Sequence, residues 1–295
     1  MSYSIGLVGA GAMGGAIGTR LLQKGHDLIV FDLDREKVEA LVSKGARAAA
    51  SAADAAQNVS HVITSLNAAR IVDLAIFAET GIASGAATGT TLIDMSSIEP
   101  DATRDFARRA YDLGLGWVDS PLSGGAPKAL DGTLTLMLGG REDDVVKAKP
   151  ILGDLATTLT HMGPAGAGQT TKMINQVLCG LGFMAVAEAT QLAIDAGVDA
   201  AKIPDALRGG RADSALLQEY MPRFATRDYR RTGRIDNMVK DLNMVAELAR
   251  KTGTSMPMTA LCAEIHRMLT AAGLGGEDQA AVMEFFKGAK GEFPA

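Results

Sequence analysis

Lys172, Asn175 and Gln176 stand three and four residues apart in "GAGQTTKMINQ" (166–176), so in a helix they share one face. Directly after them, the eleven residues Val177 to Ala187 are almost wholly apolar. A lysine leading into such a segment needs a partner or a task, because an unpaired ammonium is costly to bury. The ammonium can donate a proton to a carbonyl oxygen, and the neutral amine can accept one from a hydroxyl. That is the proton traffic accompanying hydride transfer between an alcohol and a carbonyl. Partial desolvation or neighbouring cations lower a lysine pKa toward working pH. The amides of Asn175 and Gln176 are suited to orienting a substrate hydroxyl. The same spacing also fits a lysine snorkelling from a helix end, so Lys172 alone does not decide between these readings.

A second group of residues can hold a nucleotide. "GLVGAGAMG" places Gly9, Gly11 and Gly14 in GxGxxG spacing, with Ala12 and Met13 inside the motif. The motif follows a first strand and opens a helix, the context that gives it meaning. The first glycine permits a tight turn, the second lets the backbone approach a pyrophosphate, and the third allows close helix–strand packing. Asp32 ends the next strand, 18 residues past Gly14. A carboxylate there accepts hydrogen bonds from a ribose 2′-hydroxyl and repels a 2′-phosphate, which favours NAD over NADP. A methyltransferase using S-adenosylmethionine can carry a similar loop and acid, and these residues alone leave that reading open. Leu66 and Asn67, in "TSLNAAR" after the fourth strand, should border the adenosine side, since ligands sit at strand ends in such sheets. Ser96 and Ser97 in "DMSSIEP" offer hydroxyls near a nicotinamide ribose. Ser97, followed by Glu99 and Pro100, could equally start the next helix.

The third element is "DSPLSGG" (119–125). Ser123, Gly124 and Gly125 combine a hydroxyl with backbone amides that can bind a carboxylate. A plain turn before the next strand is the simpler reading of the same residues.

These candidates need elements to carry them. Up to about residue 163, short apolar runs alternate with amphipathic helical stretches. "YSIGLVG", "LIVFD", "HVITS", "TLIDMS", "GWVDS", "TLTLMLG" and "LTHMG" read as strands, with "ARAAA" (46–50) as a weak additional one. Such alternation predicts an α/β Rossmann-type, doubly wound parallel sheet. Beyond residue 163 the periodicity is helical, with long segments near 167–196, 235–252 and 257–272 and shorter ones at "VDAAKIP" and "ADSALLQEYM". The expected organisation is a cofactor-binding domain at 1–163 and an all-α domain at 164–295 opened by a long interdomain helix. A helix apolar around its circumference must be covered on several sides, so a homodimer or homotetramer is expected.

Composition narrows the function classes. The chain has 295 residues, 47% hydrophobic and 21% charged, with net charge −5. No dense basic run suggests nucleic acid; "RFATRDYRRTGR" (223–234) reads as a solvated turn or an anion contact. Two cysteines, Cys179 and Cys262, lie far apart in helical patterns, which fits a reducing compartment rather than disulfides. The four histidines lack ligand spacing, so no metal is expected. The chain enters a strand directly, with no basic leader. Its longest apolar run reads as too short for a bilayer. A soluble, cytoplasmic protein with neither membrane nor nucleic-acid partner is the expectation.

Taken together, the motifs resemble those of the β-hydroxyacid dehydrogenase family, nearly end to end. "GLVGAGAMG" resembles its dinucleotide motif, "DMSSIEP" its D-x-S-[ST]-x-x-P segment and "DSPLSGG" its substrate motif. "GAGQTTKMINQ" resembles the catalytic G-x-G-x-x-x-K-x-x-N-[NQ], and "KDLNMV" the later KDL motif. The resemblance implies that Lys172 is the proton donor–acceptor and that Ser123, Gly124 and Gly125 hold a substrate carboxylate. It implies that Asn175 or Gln176 holds a hydroxyl near the reacting carbon. Lys240 would reach substrate or nicotinamide, with Asp241 orienting it. It removes the methyltransferase reading, and Lys172 argues against imine reductases, which commonly lack it. Retention of the lysine and the SGG turn argues against a non-catalytic dinucleotide-binding protein that recruits partners.

Three positions depart from the pattern: Gln176 in place of a second Asn, Lys128 in place of a glycine, and Gly233-Arg234 where a bulky aromatic is usual. Less bulk and more cation suggest a roomier, more anion-friendly pocket. The stretches at 65–85, 123–140 and 275–286 look most like the sugar-acid branch of L-threonate dehydrogenases. The implied activity is NAD-dependent oxidation of a short hydroxy acid, a four-carbon sugar acid such as L-threonate. Tartronate semialdehyde, succinic semialdehyde and 3-hydroxyisobutyrate are the alternative substrates.

Overall fold

A computed structural model describes residues 2–286. The chain divides into two compact units, Met1–Lys172 and Met173–Ala295. The first holds nine strands: β1 (Ser4–Val8), β2 (Asp27–Phe31), β3 (Arg47–Ala48), β4 (His61–Thr64), β5 (Thr91–Asp94), β6 (Gly116–Asp119), β7 (Leu122–Ser123), β8 (Leu134–Gly140) and β9 (Ala156–Gly163). Between them run α1 (Ala12–Gln23), α2 (Arg35–Val42), α3 (Ala52–Ala55), α4 (Ala69–Phe77), α5 (Ile82–Gly85), α6 (Pro100–Asp112), α7 (Gly125–Asp131) and α8 (Glu142–Leu152).

The strand order is β3-β2-β1-β4-β5-β6-β8-β7, with β9 alongside β8. From β3 to β6 every pairing is parallel. The order reverses between β1 and β4, the switch point where nucleotides bind in such sheets. β4, β5 and β6 are buried along their whole length, as strands covered by helices on both faces must be. The weak strand at 46–50 forms as the two-residue β3.

The far edge departs from the all-parallel expectation. β8 runs antiparallel to both β6 and β7. After β6 the chain makes only the two-residue β7 and the seven-residue α7, which ends at Gly132 in the left-handed region, φ +71°. That short path turns the chain back, whereas a parallel return requires a longer crossover. β7 itself escapes a periodicity reading because two residues carry no period.

Beyond β9, among the described residues, only helices and one isolated β-bridge, Arg234–Asp278, occur. α9 (Ala167–Asp195) spans 29 residues, about 44 Å at 1.5 Å per residue. It begins in the first unit and continues into the second, where it is joined by α10 (Ile203–Leu207), α11 (Ala215–Thr226), α12 (Ile235–Thr252) and α13 (Pro257–Leu269). Phe183 and Ala187 of α9 share a core with Tyr220 and Phe224 of α11, Leu242 of α12 and Cys262 of α13. Gly180 makes room there: a Cβ would lie 3.3 Å from the Cys262 sulfur. Burial pushes that thiol up to about 11, so Cys262 behaves as a small hydrophobe.

α9 corrects one expectation. By length and composition it could cross a bilayer, with mean hydropathy 1.7 over its best window. The uninterrupted apolar run ends at Ala187, but Leu192 and Ile194 beyond it keep the average high. The core helix of a soluble protein meets the same criterion.

The 223–234 basic cluster is largely satisfied internally. Arg223 is buried and pairs with Asp278 at 2.8 Å, Arg230 pairs with Asp228, and Arg234 with Asp236. Asp278 also accepts the backbone N–H of Gly233 at 2.9 Å.

Candidate active site

The nucleotide loop forms where β1 meets α1. Gly9 adopts φ +97°, and a Cβ on Gly14 would lie 1.9 Å from the Gly9 carbonyl oxygen. The helix therefore approaches the strand more closely than any side chain permits. A Cβ on Gly11 would meet nothing within 4 Å, so space for a ligand opens at the N-terminus of α1, where Ala12 and Met13 begin the helix. A cleft of about 590 Å³ lies beside it, lined by Gly9, Gly11, Asp32, Leu66, Asn67 and Arg70, among others. These residues fit a dinucleotide: open backbone donors for the pyrophosphate, a carboxylate for the ribose and apolar walls for the adenine.

Asp32 is held firmly. Its Oδ2 accepts the Ala10 N–H at 2.7 Å and its Oδ1 the Asp34 N–H at 2.8 Å. Each oxygen retains a lone pair for a ribose hydroxyl. Lys37 lines the same cleft and pairs with Asp34 at 3.0 Å. With Asp32 neutralised, Lys37 and Arg70 remain to receive a 2′-phosphate. Asp32→Asn is expected to raise the NADP/NAD ratio of kcat/KM about tenfold, the effect of ~1.4 kcal/mol. Steady-state kinetics with both cofactors check this; an unchanged ratio refutes the assignment.

The two serines differ in surroundings. Ser96 is buried, and its hydroxyl accepts the Leu66 N–H at 3.0 Å. It thus ties the β4 and β5 loops together rather than facing outward. Ser97 is half-buried. It does not cap α6, whose N-cap is Glu99 with Pro100 following.

Sequence reasoning passed over two carboxylates below this rim. Asp94 and Asp119 end β5 and β6 as register partners and are almost fully buried. Asp94 accepts Thr64 Oγ1 at 2.8 Å and the Ser96 N–H at 3.1 Å. Asp119 accepts the backbone N–H groups of Gly166 at 2.9 Å and Gln169 at 3.1 Å. Burial raises the pKa of both, Asp119 to about 6, and for Asp119 the nearby Asp94 adds to the rise. The native state therefore holds the Asp119 proton more tightly than the unfolded chain, and its contribution to stability falls as pH rises from about 4 to about 6. The signal was present: each Asp heads a recognised motif, "DMSSIEP" or "DSPLSGG", at the C-terminal end of a strand.

The SGG turn stands at the start of α7. Gly124 has φ +128° and Gly125 φ +72°, a region that side chains other than glycine rarely adopt. Ser123 ends β7. Lys128 folds back over the turn, its Cδ 2.7 Å from where a Gly124 Cβ would be. The stem of the lysine that departs from the family pattern thus lies over the SGG turn.

Lys172 lies in the opening turns of α9, which are tied to the first unit. A Cβ on Gly168 would lie 2.4 Å from the Met137 carbonyl oxygen and 2.7 Å from Asp119. This packing puts the division between the units at Lys172/Met173, nine residues past the change in sequence character. Asn175 and Gln176 follow in the same helix.

In the second unit the amides form a chain. Asn175 Nδ2 donates to Gln176 Oε1 at 2.9 Å, and Gln176 Nε2 donates to Asp241 Oδ2 at 2.5 Å. Asp241 Oδ1 lies 3.3 Å from Lys240 Nζ. Gln176 therefore links Asn175 to the KDL segment. Arg234 is engaged by Asp236, and a Cβ on Gly233 would touch only Gln279 at 3.9 Å. Among the described residues, no cluster of three His, Cys, Asp or Glu is placed to hold a metal.

Residues 4–163 match the family described as the NAD binding domain of 6-phosphogluconate dehydrogenase. Residues 166–286 match the NAD-binding family of NADP-dependent 3-hydroxyisobutyrate dehydrogenase. The chain is 34% identical to an NAD-dependent L-serine dehydrogenase of Pseudomonas aeruginosa, over 98% of this chain and 99% of that one. It is 32% identical to an L-threonate dehydrogenase of Cupriavidus necator, over 98% and 97%. A solved structure of Mycobacterium tuberculosis 3-hydroxyisobutyrate dehydrogenase with L-serine superposes with TM-score 0.88 at 28% identity, covering 97% of this chain and all of that one.

Proposed function

The chain belongs to the β-hydroxyacid dehydrogenase family, and from that premise we propose that it oxidises a four-carbon sugar acid such as L-threonate, with Lys172 as general base. The coarser activity is that of an NAD-dependent hydroxy acid dehydrogenase. The observation supporting the general-base role is the placement of Lys172 in the turns of α9 that Asp119 anchors at the β6 strand end, and the sugar-acid substrate rests on the likeness to the L-threonate dehydrogenase.

In the oxidative direction the Lys172 amine takes the hydroxyl proton as the carbon–oxygen double bond forms. When bound, the nicotinamide supplies the acceptor for the hydride. In reverse the ammonium returns the proton to the carbonyl oxygen. Ser123 and the amides of Gly124 and Gly125 hold the substrate carboxylate, with Lys128 adding positive charge. Asn175 and Lys240 orient the substrate's hydroxyls, and Gln176 and Asp241 fix their side chains. The space at Gly233 favours a substrate bearing extra hydroxyls. The relatives also support L-serine as a second reading, because one at 34% identity is named for it.

A panel of hydroxy acids with NAD, followed by the near-ultraviolet absorbance of NADH, tests the proposal. L-threonate is expected to give the highest kcat/KM, above L-serine, 3-hydroxyisobutyrate and succinic semialdehyde or tartronate semialdehyde run in reverse. A higher value for any of these refutes the sugar-acid assignment.

We further propose a homodimer or homotetramer working in the cytoplasm. Ile174 and Leu178 of α9 are 57% and 67% exposed, and Leu192 farther along is 70% exposed. Their spacing makes one apolar stripe, and a second copy would cover it.

A further inference from the structure

The Gln169 side chain spans from α9 to the loop after β5. Its Nε2 donates to the Ser96 carbonyl at 2.8 Å, and its Oε1 accepts the Ile98 N–H at 3.3 Å. Its own backbone N–H goes to Asp119. Gln169 is 1% exposed, so no water competes for these bonds, and a buried amide left unpaired is costly. Ser96 in turn holds Leu66 at the rim of the nucleotide cleft. Lys172 lies three residues on, one helical turn away and near the same face. Together with the Asp119 carboxylate, this side chain therefore fixes the rotation and the height of the α9 turn bearing Lys172 against the loop after β5.

We propose that Gln169 is a positioning residue for the hydride-transfer step, holding the Lys172 amine in register with the 96–98 loop. This rests on the assignment of Lys172 as general base. The two amide bonds are directional: a donor must face Ser96 and an acceptor must face Ile98. Leucine supplies neither. Glutamate keeps the acceptor, but only its protonated form supplies the donor.

The test uses the full-length enzyme. Gln169→Leu is expected to lower kcat about tenfold or more, while the Kd for NADH, read by fluorescence, stays within about twofold. For Gln169→Glu, the ratio of its kcat to that of the unmodified enzyme should rise as pH falls from about 8 to about 5.5, because burial against a carbonyl raises the carboxyl pKa into that range. A merely structural role would not make the ratio depend on pH. Three results overturn the proposal: a folded Gln169→Leu enzyme with kcat within about twofold of the original, a loss of NADH affinity matching the loss of kcat, or a flat Gln169→Glu ratio. If Gln169→Leu does not fold, the glutamate ratio decides alone.

Failure of the substrate reading would look different, since another acid of the panel, or none, would then be the preferred substrate of the unmodified enzyme. The placement of Lys172 remains measurable in that case. The pH at which its reductively methylated amine titrates, followed by carbon NMR, should move in Gln169→Leu, and an unmoved titration overturns the proposal.

Discussion

Replacement of Lys172 by Ala is expected to lower kcat about a thousandfold, within the range for loss of a general acid–base group. That corresponds to ~4 kcal/mol of transition-state stabilisation. NADH affinity should stay near the original value, since the nucleotide loop is built from Gly9–Gly14 and Asp32. The fold should hold, because Ala is the better helix former and the neighbouring turns are anchored by Asp119 and Gln169 instead. Kinetics with NADH fluorescence titration separate the two quantities. Turnover surviving in the variant removes Lys172 from the chemistry. Weakened NADH binding with unchanged kcat would instead make it a cofactor ligand. Partial rescue by added primary amines would further identify the lost group as a base.

Gly14→Ala is the second large effect. Its new Cβ would lie 1.9 Å from the Gly9 carbonyl oxygen and 2.9 Å from the Gly9 carbonyl carbon. Both are backbone atoms, so no side-chain rotation relieves the overlap. α1 must move away from β1, and the N–H groups at its N-terminus move away from the pyrophosphate. We expect NADH Kd to weaken about hundredfold, ~3 kcal/mol. Overpacking of this kind costs a further ~1–3 kcal/mol of stability, lowering Tm by about 3–10 °C for a unit of this size. Gly11→Ala is the control. Its Cβ meets no protein atom within 4 Å, so stability should hold while cofactor affinity falls. Equal stability losses in the two variants would contradict this division of roles.

The cofactor site was legible in the sequence because its determinants are local. Gly9, Gly11 and Gly14 lie in one turn, and Asp32 is one strand away. The long helices were legible because eighteen or more residues give periodicity many turns to register; the observed α12 matches its expected span of 235–252. Serine chemistry was less legible. Ser96 reads as a free hydroxyl in "DMSSIEP", yet it bonds the Leu66 N–H, thirty residues earlier in the chain. The roles of Asn175 and Gln176 could not be separated by spacing, since only the partner Asp241, 65 residues away, distinguishes them.

Residue order alone was enough for the fold class and the nicotinamide cofactor. Each depends on short-range spacing or on the types of a few neighbouring residues, which backbone geometry converts directly into structure. Folding decided the antiparallel return of β8, the inward turn of Ser96, the Lys128 chain lying over Gly124, and the buried carboxylates Asp94 and Asp119 beneath the rim. These depend on which groups meet after long stretches of chain close on one another. A carboxyl group's charge and a hydroxyl's partner are set by the atoms packed around them, and sequence distance carries no record of that packing.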